Sequence, residues 1–328
     1  MKRRNFIKTA ALGAAFSGVR CTSDKLSHWI EPSPDRMKYT PLGKTGIKVS
    51  RLSFGSHLSA DNVAQPAERD KHIQFGCDMG INLYDIYNHT YFQFEPMSKS
   101  LKNQPDALIS IYDTGADIDG ILKLFNRERI DFIRAGFDPE KLDKLMGYRE
   151  KGKIRAVGVV SHQVNQMIES IEKYGDDLDY FMIPYNFVHN RATPPEQTND
   201  YGEFVKLAKK HNYGLIGMKP FCNEMLLDFV KEQGFIGGEK DRGVNVPSAA
   251  IRYALSTGAI HTSLPAMNSI REISENLQAI YRPKLLPIER EILAEVDKVA
   301  FEKKWSYLNK KPGYKWLADW AQLGGIMV

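Results

Sequence analysis

Short apolar runs of four to seven residues alternate along the chain with longer stretches in which apolar positions return every three or four residues. The first pattern reads as buried strands and the second as helices with one apolar face. Strands are predicted at Leu52–Gly55, Asn82–Asp85, Ala107–Tyr112 and Asp131–Ala135, and again at Ile154–Val160, Tyr180–Tyr185, Gly214–Met218 and Ile260–Leu264. Helices are predicted between them, among others over Ala67–Met79, Pro139–Lys151, Gln163–Tyr174, Gly202–Lys210 and Pro247–Leu255. A strand–helix unit repeated about eight times predicts an α/β fold, a (β/α)8 TIM barrel of roughly 250 residues or more. No linker-like break divides the repeat, so one domain is expected. Such barrels carry their sites on the loops after the strands. Attention therefore falls on Asp85, Tyr112, Gly136, Ser161, Tyr185 and Met218 onward.

Charge changes the picture at one end only. The 45 Lys and Arg exceed the 40 Asp and Glu by five. Lys2, Arg3, Arg4, Lys8 and Arg20 supply that excess within a stretch that holds no acid. The remainder is neutral, which argues against the basic face that a nucleic-acid partner needs. The apolar run Thr9–Val19 is too short for a membrane span, which takes roughly 20 residues. A basic segment before a short apolar one is an export signal, and Arg3-Arg4-Asn5-Phe6-Ile7-Lys8 resembles the twin-arginine type. We expect residues 1–25 as an export signal to the periplasm, 26–37 as a linker, and 38–328 as the barrel with a C-terminal tail. Cys21 is a candidate lipid acceptor, although Arg20 stands where a small residue is wanted. Cys77 and Cys222 show no metal-ligand spacing, so no metal site is expected.

Two cofactor motifs are excluded. No G-x-G-x-x-G follows the first strand, and Gly43-Lys44-Thr45 lacks the earlier glycine of a P-loop, where Lys38 stands.

Several segments together identify a family likeness. Pro41 through Ser50 (PLGKTGIKVS) resembles the N-terminal β-hairpin of aldo-keto reductases. Gly80 through Asp85 (GINLYD) is similar to their second strand, and Gly152 through His162 (GKIRAVGVVSH) to their fifth. Pro184-Tyr185-Asn186, Met218-Lys219-Pro220 and Pro265 through Asn276 follow in the family's order. The resemblance covers about residues 38–300. It implies a barrel that binds NADP or NAD and passes hydride to a small carbonyl substrate, or oxidises an alcohol in reverse.

The family's catalytic tetrad is only partly retained. Asp85 matches its aspartate. The tyrosine position, five residues on, holds Thr90, so Tyr91 or Tyr87 competes for that role. The lysine position holds Tyr112, and the histidine position holds Gly136. A carboxylate in a barrel mouth without its cation is disfavoured by desolvation. Strand alternation offers a substitute: if Gly136 faces inward, so does Arg134. Arg134 then pairs with Asp85, or else turns out toward the helices.

On the cofactor side the resemblance points to Ser161 and His162 at the nicotinamide, with Met218 and Lys219 beside it. Met182 replaces the family's amide-binding glutamine. Asn268, Ser269, Glu275 and Asn276 match the phosphate and adenine end, while Glu272 stands where an arginine often grips the 2′-phosphate. His89 is a further mouth candidate. Asp113, Asp117 and Asp119 read as a solvated acidic loop. Trp305, Tyr307, Tyr314, Trp316 and Trp320 crowd the tail, where they pack across the mouth or stack on a sugar-like substrate. Three functions remain open: a divergent oxidoreductase, a non-catalytic ligand-binding barrel, or non-redox acid–base chemistry on a sugar-like substrate through Asp85, His89 and Tyr91.

Overall fold

The computed structural model describes residues 29–56, 66–89, 93–113, 115, 117–161, 163–187, 201–221 and 225–302. The expected export signal, Cys21, Cys222 and the aromatic tail lie outside the described residues.

The chain enters through a short antiparallel hairpin, β1 (Tyr39–Pro41) and β2 (Lys48–Ser50), with Tyr39 opposite Ser50. Its turn needs Gly46 in the left-handed region, at φ 66°. Leu42 is fully buried against Gly214, where an added Cβ would fall 2.5 Å from the Leu42 Cγ. The hairpin thereby covers the N-terminal end of the barrel. Residues 33–37, read above as the end of a linker, are docked. Met37 is buried, and the Ser33 amide donates to the Tyr281 hydroxyl at 3.0 Å.

Eight parallel strands follow in sequential order. They are β3 (Phe54–Gly55), β4 (Leu83–Asp85), β5 (Leu108–Tyr112) and β6 (Ile130–Ala135), then β7 (Ile154–Val160), β8 (Tyr180–Pro184), β9 (Gly214–Met218) and β10 (Thr262–Leu264). Amides of Ser53 and Gly55 donate to the carbonyls of Ser263 and Pro265, each at 2.9 Å, and draw the first and last strands together. The sheet is a nearly closed barrel, the architecture expected from the pattern.

Around it run α1 (Pro66–Asp78), α2 (Phe94–Lys102), α3 (Ile118–Phe125), α4 (Pro139–Glu150) and α5 (Val164–Tyr174). The second half adds α6 (Tyr201–Lys210), α7 (Met225–Glu232), α8 (Val246–Ser256), α9 (Ile270–Tyr281) and α10 (Pro287–Glu302). Helix starts follow local chemistry. Asp117 accepts from the amides of Asp119 and Gly120 to cap α3, and Asp138 caps α4 just before Pro139. Among the described residues no helix is long and apolar enough to cross a membrane.

Strand alternation sorts the core into two shells. Leu83, Phe132, Ala156, Met182, Ile216 and Leu264 fill the barrel interior above Leu42 and Val49 of the hairpin. Ile109, Ile133, Val157, Phe181 and Leu215 face outward into the helices. Full burial of each such side chain contributes about 1.5–3 kcal/mol.

Candidate active site

At the C-terminal end of the barrel three neighbouring strands bring polar side chains inward. The register pairs Asp85 of β4 with Ser110 of β5, and Tyr112 of β5 with Arg134 of β6. The Arg134 guanidinium grips Asp85 with two bonds, Nη1 to Oδ1 at 2.5 Å and Nη2 to Oδ2 at 3.1 Å. Ser110 completes the cluster. Its hydroxyl donates to Asp85 Oδ1 at 2.8 Å and accepts from Arg134 Nη1 at 3.0 Å. Arg134 therefore turns inward, and the alternative in which it faces the helices does not occur.

Burial decides what this pair can do. Asp85 is 4% exposed and Arg134 is 2% exposed. Burial alone would lower the Arg134 pKa, but the Asp85 carboxylate and the nearby Tyr180 more than offset it, and the net direction is upward. The guanidinium stays charged. With both its oxygens engaged, Asp85 is not a free base for a substrate, which weighs against acid–base chemistry routed through it.

Tyr180 fills the space beside the pair because its strand neighbour is Gly158. A Cβ on Gly158 would lie 2.5 Å from the Tyr180 ring. Burial pushes the Tyr180 phenol well up, partly opposed by Arg134.

Aromatic residues stand above the ion pair. The Tyr112 ring lies 5.8 Å from the Arg134 Cζ and stacks on Tyr87, with centroids 5.7 Å apart. Tyr87 adopts φ 66°, costly for a residue with a Cβ, and its carbonyl accepts from the Tyr112 amide. Burial pushes its phenol pKa up. His89 is exposed two residues further on, and Tyr91 lies outside the described residues. At Gly136 an added Cβ would meet only one described atom within 4 Å, the Tyr112 hydroxyl at 3.8 Å.

The cofactor-side residues are spread over three further loops. Ser161, buried at the end of β7, donates to Gln166 Oε1 at 2.8 Å and accepts from the Gln163 amide at 2.9 Å. His162 lies outside the described residues. Met218 is half-buried at the end of β9, and Lys219 follows at φ 57° with its carbonyl accepting from Asn186 Nδ2. Met182 is buried within the barrel.

The N-terminus of α9 carries its own carboxylate. Ser269 Oγ accepts from the Glu272 amide at 3.1 Å, and Glu272 Oε2 accepts from the Asn268 amide at 2.7 Å. This reciprocal cap places negative charge where helix amides would otherwise meet a phosphate. Arg271 is paired with Glu275 at 2.8 Å, and Asn276 is buried.

Sequence reading missed two contributors. Ser110 is one, although a serine in alternation with Leu108 and Tyr112 marks a polar position inside the barrel. Arg69 is the other. Fully buried on α1, it donates to the Met267 carbonyl at 2.6 Å, to Asn268 Oδ1 at 3.3 Å and to Gln93 Oε1 at 3.2 Å. It shares a helix face with Ile73 and Gly76, four and seven residues on, and that spacing is a signal that it faces the core. The solvated acidic loop is corrected at Asp113 alone, since Asp117 and Asp119 are exposed. Asp113 is buried and accepts from the Gly115 amide, Asp117 caps α3, and Asp119 bonds Lys153 at 2.6 Å.

Comparison with known proteins places this geometry. L-galactose dehydrogenase of Arabidopsis thaliana is 20% identical over 313 residues, covering 80% of this chain and 94% of the relative. The holo form of an aldo-keto reductase from Bacillus halodurans superposes with a TM-score of 0.62 at 18% identity, over 79% of this chain and 96% of that one. Its apo form gives 0.61. At such identities the structural likeness speaks for the fold alone. The aldo/keto reductase family model, however, matches residues 115–300, more than half of the sequence. With its hairpin, its nearly closed barrel and Asp85 at the mouth, this chain belongs to the aldo/keto reductase family.

Proposed function

We propose that this protein is an NAD(H)-linked oxidoreductase acting on a small carbonyl compound or, in reverse, on the alcohol of a sugar-like molecule. The observation that carries this reading is the buried Arg134–Asp85 pair: the cation of the mouth has moved to the next strand and has not been lost. Bound at this mouth, a nicotinamide would supply or accept the hydride. Reduction of a carbonyl also builds negative charge on its oxygen, so a hydrogen-bond donor must meet that oxygen. Arg134 holds positive charge behind the Tyr112 ring, which stacks on Tyr87, and both phenols are half-buried.

The residues at α9 fit NAD(H) better than NADP(H). An acidic side chain suits a ribose 2′-hydroxyl, whereas Glu272 would repel a 2′-phosphate. Ser161 and Asn276 are the residues that would hold the nicotinamide and adenine ends. A sugar-like substrate is consistent with the substrate named for the Arabidopsis relative. The basic and apolar N-terminus supports export by the twin-arginine route to the periplasm. Changing Arg3 and Arg4 to Lys should leave the protein in the cytoplasm on fractionation.

Fluorescence titration with NADH and NADPH tests the cofactor reading. Saturation by NADH, with NADPH at least about tenfold weaker, is expected from the charge at Glu272. No saturable change at millimolar NADH would sink it. A second reading, a barrel that binds ligand without turnover, draws on Tyr112 and Gly136 at the lysine and histidine positions. Tight NADH binding with no oxidation of L-galactose by NAD, and no reduction of any aldehyde in a broad panel, would favour it.

A further inference from the structure

We propose that Tyr112 is a substrate-binding residue whose phenol donates a hydrogen bond to an oxygen of the ligand, in the space left open at Gly136. This rests on the reading that the barrel mouth takes an oxygenated substrate. Three observations converge on it. Tyr112 follows Ser110 by two residues on β5, and Ser110 is inside the barrel on Asp85 and Arg134, so alternation sends Tyr112 inward above them. Its ring is held by Tyr87 at 5.7 Å and by the Arg134 guanidinium at 5.8 Å, which fixes the direction of the hydroxyl. Among the described residues, and apart from its own chain neighbours, that hydroxyl is the one atom within 4 Å of the Cβ position at Gly136.

The phenol also meets no hydrogen-bond partner among the described residues. A donor that is rigidly mounted and backed by a buried cation suits an oxygen carrying partial negative charge. Ser110 and Asp85 cannot serve, because the ion pair already engages them. The absent side chain at Gly136 sets the second half of the site. Among the described residues no other side chain closes on that position, which suits the substituent of a carbonyl or hydroxyl carbon where a larger residue at 136 would stand in the way. The ligand class is therefore a small molecule with an accessible carbonyl or hydroxyl oxygen beside a modest substituent.

The test uses the full-length protein and three probes, L-galactose, glyceraldehyde and 4-nitrobenzaldehyde. Binding is followed by calorimetry and, for the two probes that do not absorb there, by the tyrosine difference spectrum. At least one probe should bind, and Tyr112→Phe should weaken it about tenfold or more, the size of one hydrogen bond. The same variant should abolish the difference signal that a donated hydrogen bond produces, which a merely structural change would not remove. Gly136→Val should weaken the same probe from the other side of the space. If Tyr112→Phe binds like the parent, whatever Gly136→Val does, or if none of the three probes binds, the proposal fails. A parallel NADH titration separates the two ideas. Loss of the Tyr112 effect with NADH still binding overturns this inference alone, and a Tyr112-dependent probe without NADH binding overturns the cofactor reading alone.

Discussion

Replacing Arg134 with Met would strand the Asp85 carboxylate, 4% exposed, with Ser110 its remaining side-chain partner among the described residues. Removing one partner of a buried ion pair costs about 3–5 kcal/mol, whereas replacing both by apolar groups is often nearly neutral. Urea unfolding should therefore show a large loss for Arg134→Met and a much smaller one for the double variant Asp85→Leu with Arg134→Met. Two inward glycines make an opposed pair. Gly158→Ala drives a methyl into the Tyr180 ring and should cost about 1–3 kcal/mol. Among the described residues Gly136→Ala meets just the Tyr112 hydroxyl, and it should leave thermal stability unchanged or raise it by about 0.4–1 kcal/mol. Alternation made an inward Arg134 one of two open orientations, because a residue two positions before Gly136 shares its face. Arg69 was not foreseen, since its partners Met267 and Asn268 lie about two hundred positions away and nothing local announces them.

At the level of elements, the start of α9 concentrates the cofactor question. Ser269→Ala removes its side-chain cap and should cost about 1 kcal/mol. Glu272→Gln should sacrifice about 0.3–1 kcal/mol of helix-dipole stabilisation and raise NADPH affinity relative to NADH, read by the same titration. The β9–β10 junction carries a pH response. His261 Nδ1 accepts from the Leu215 amide at 3.0 Å. Burial and the neighbouring Arg51 lower the His261 pKa, and burial with Arg69 does the same for His72. A histidine depressed in the fold is neutral there while its unfolded form takes up a proton near about pH 6.5. That contribution is present above the unfolded value and is lost as pH falls toward the folded one. Urea midpoints should drop between pH 7.5 and 5.5 in the parent, and drop less in the double variant His72→Gln with His261→Asn.

Across the whole molecule, the repeat of short apolar runs and amphipathic stretches was enough to determine the barrel. Its two periods are local properties of strand and helix geometry, and eight repeats leave few ways to bury both faces of a parallel sheet. The same local reading put the surplus positive charge on the N-terminus and Asp85 at the barrel mouth. What each mouth residue touches was not local. The Arg134–Asp85 grip joins positions 49 residues apart. Tyr180 fits because Gly158 stands beside it on the next strand, and the aspartates after β5 became a buried acceptor, a helix cap and an ion-pair partner. A side chain's periodicity states which way it points; only closure of the barrel decides which other side chains it finds there, and so which group is left free to meet a ligand.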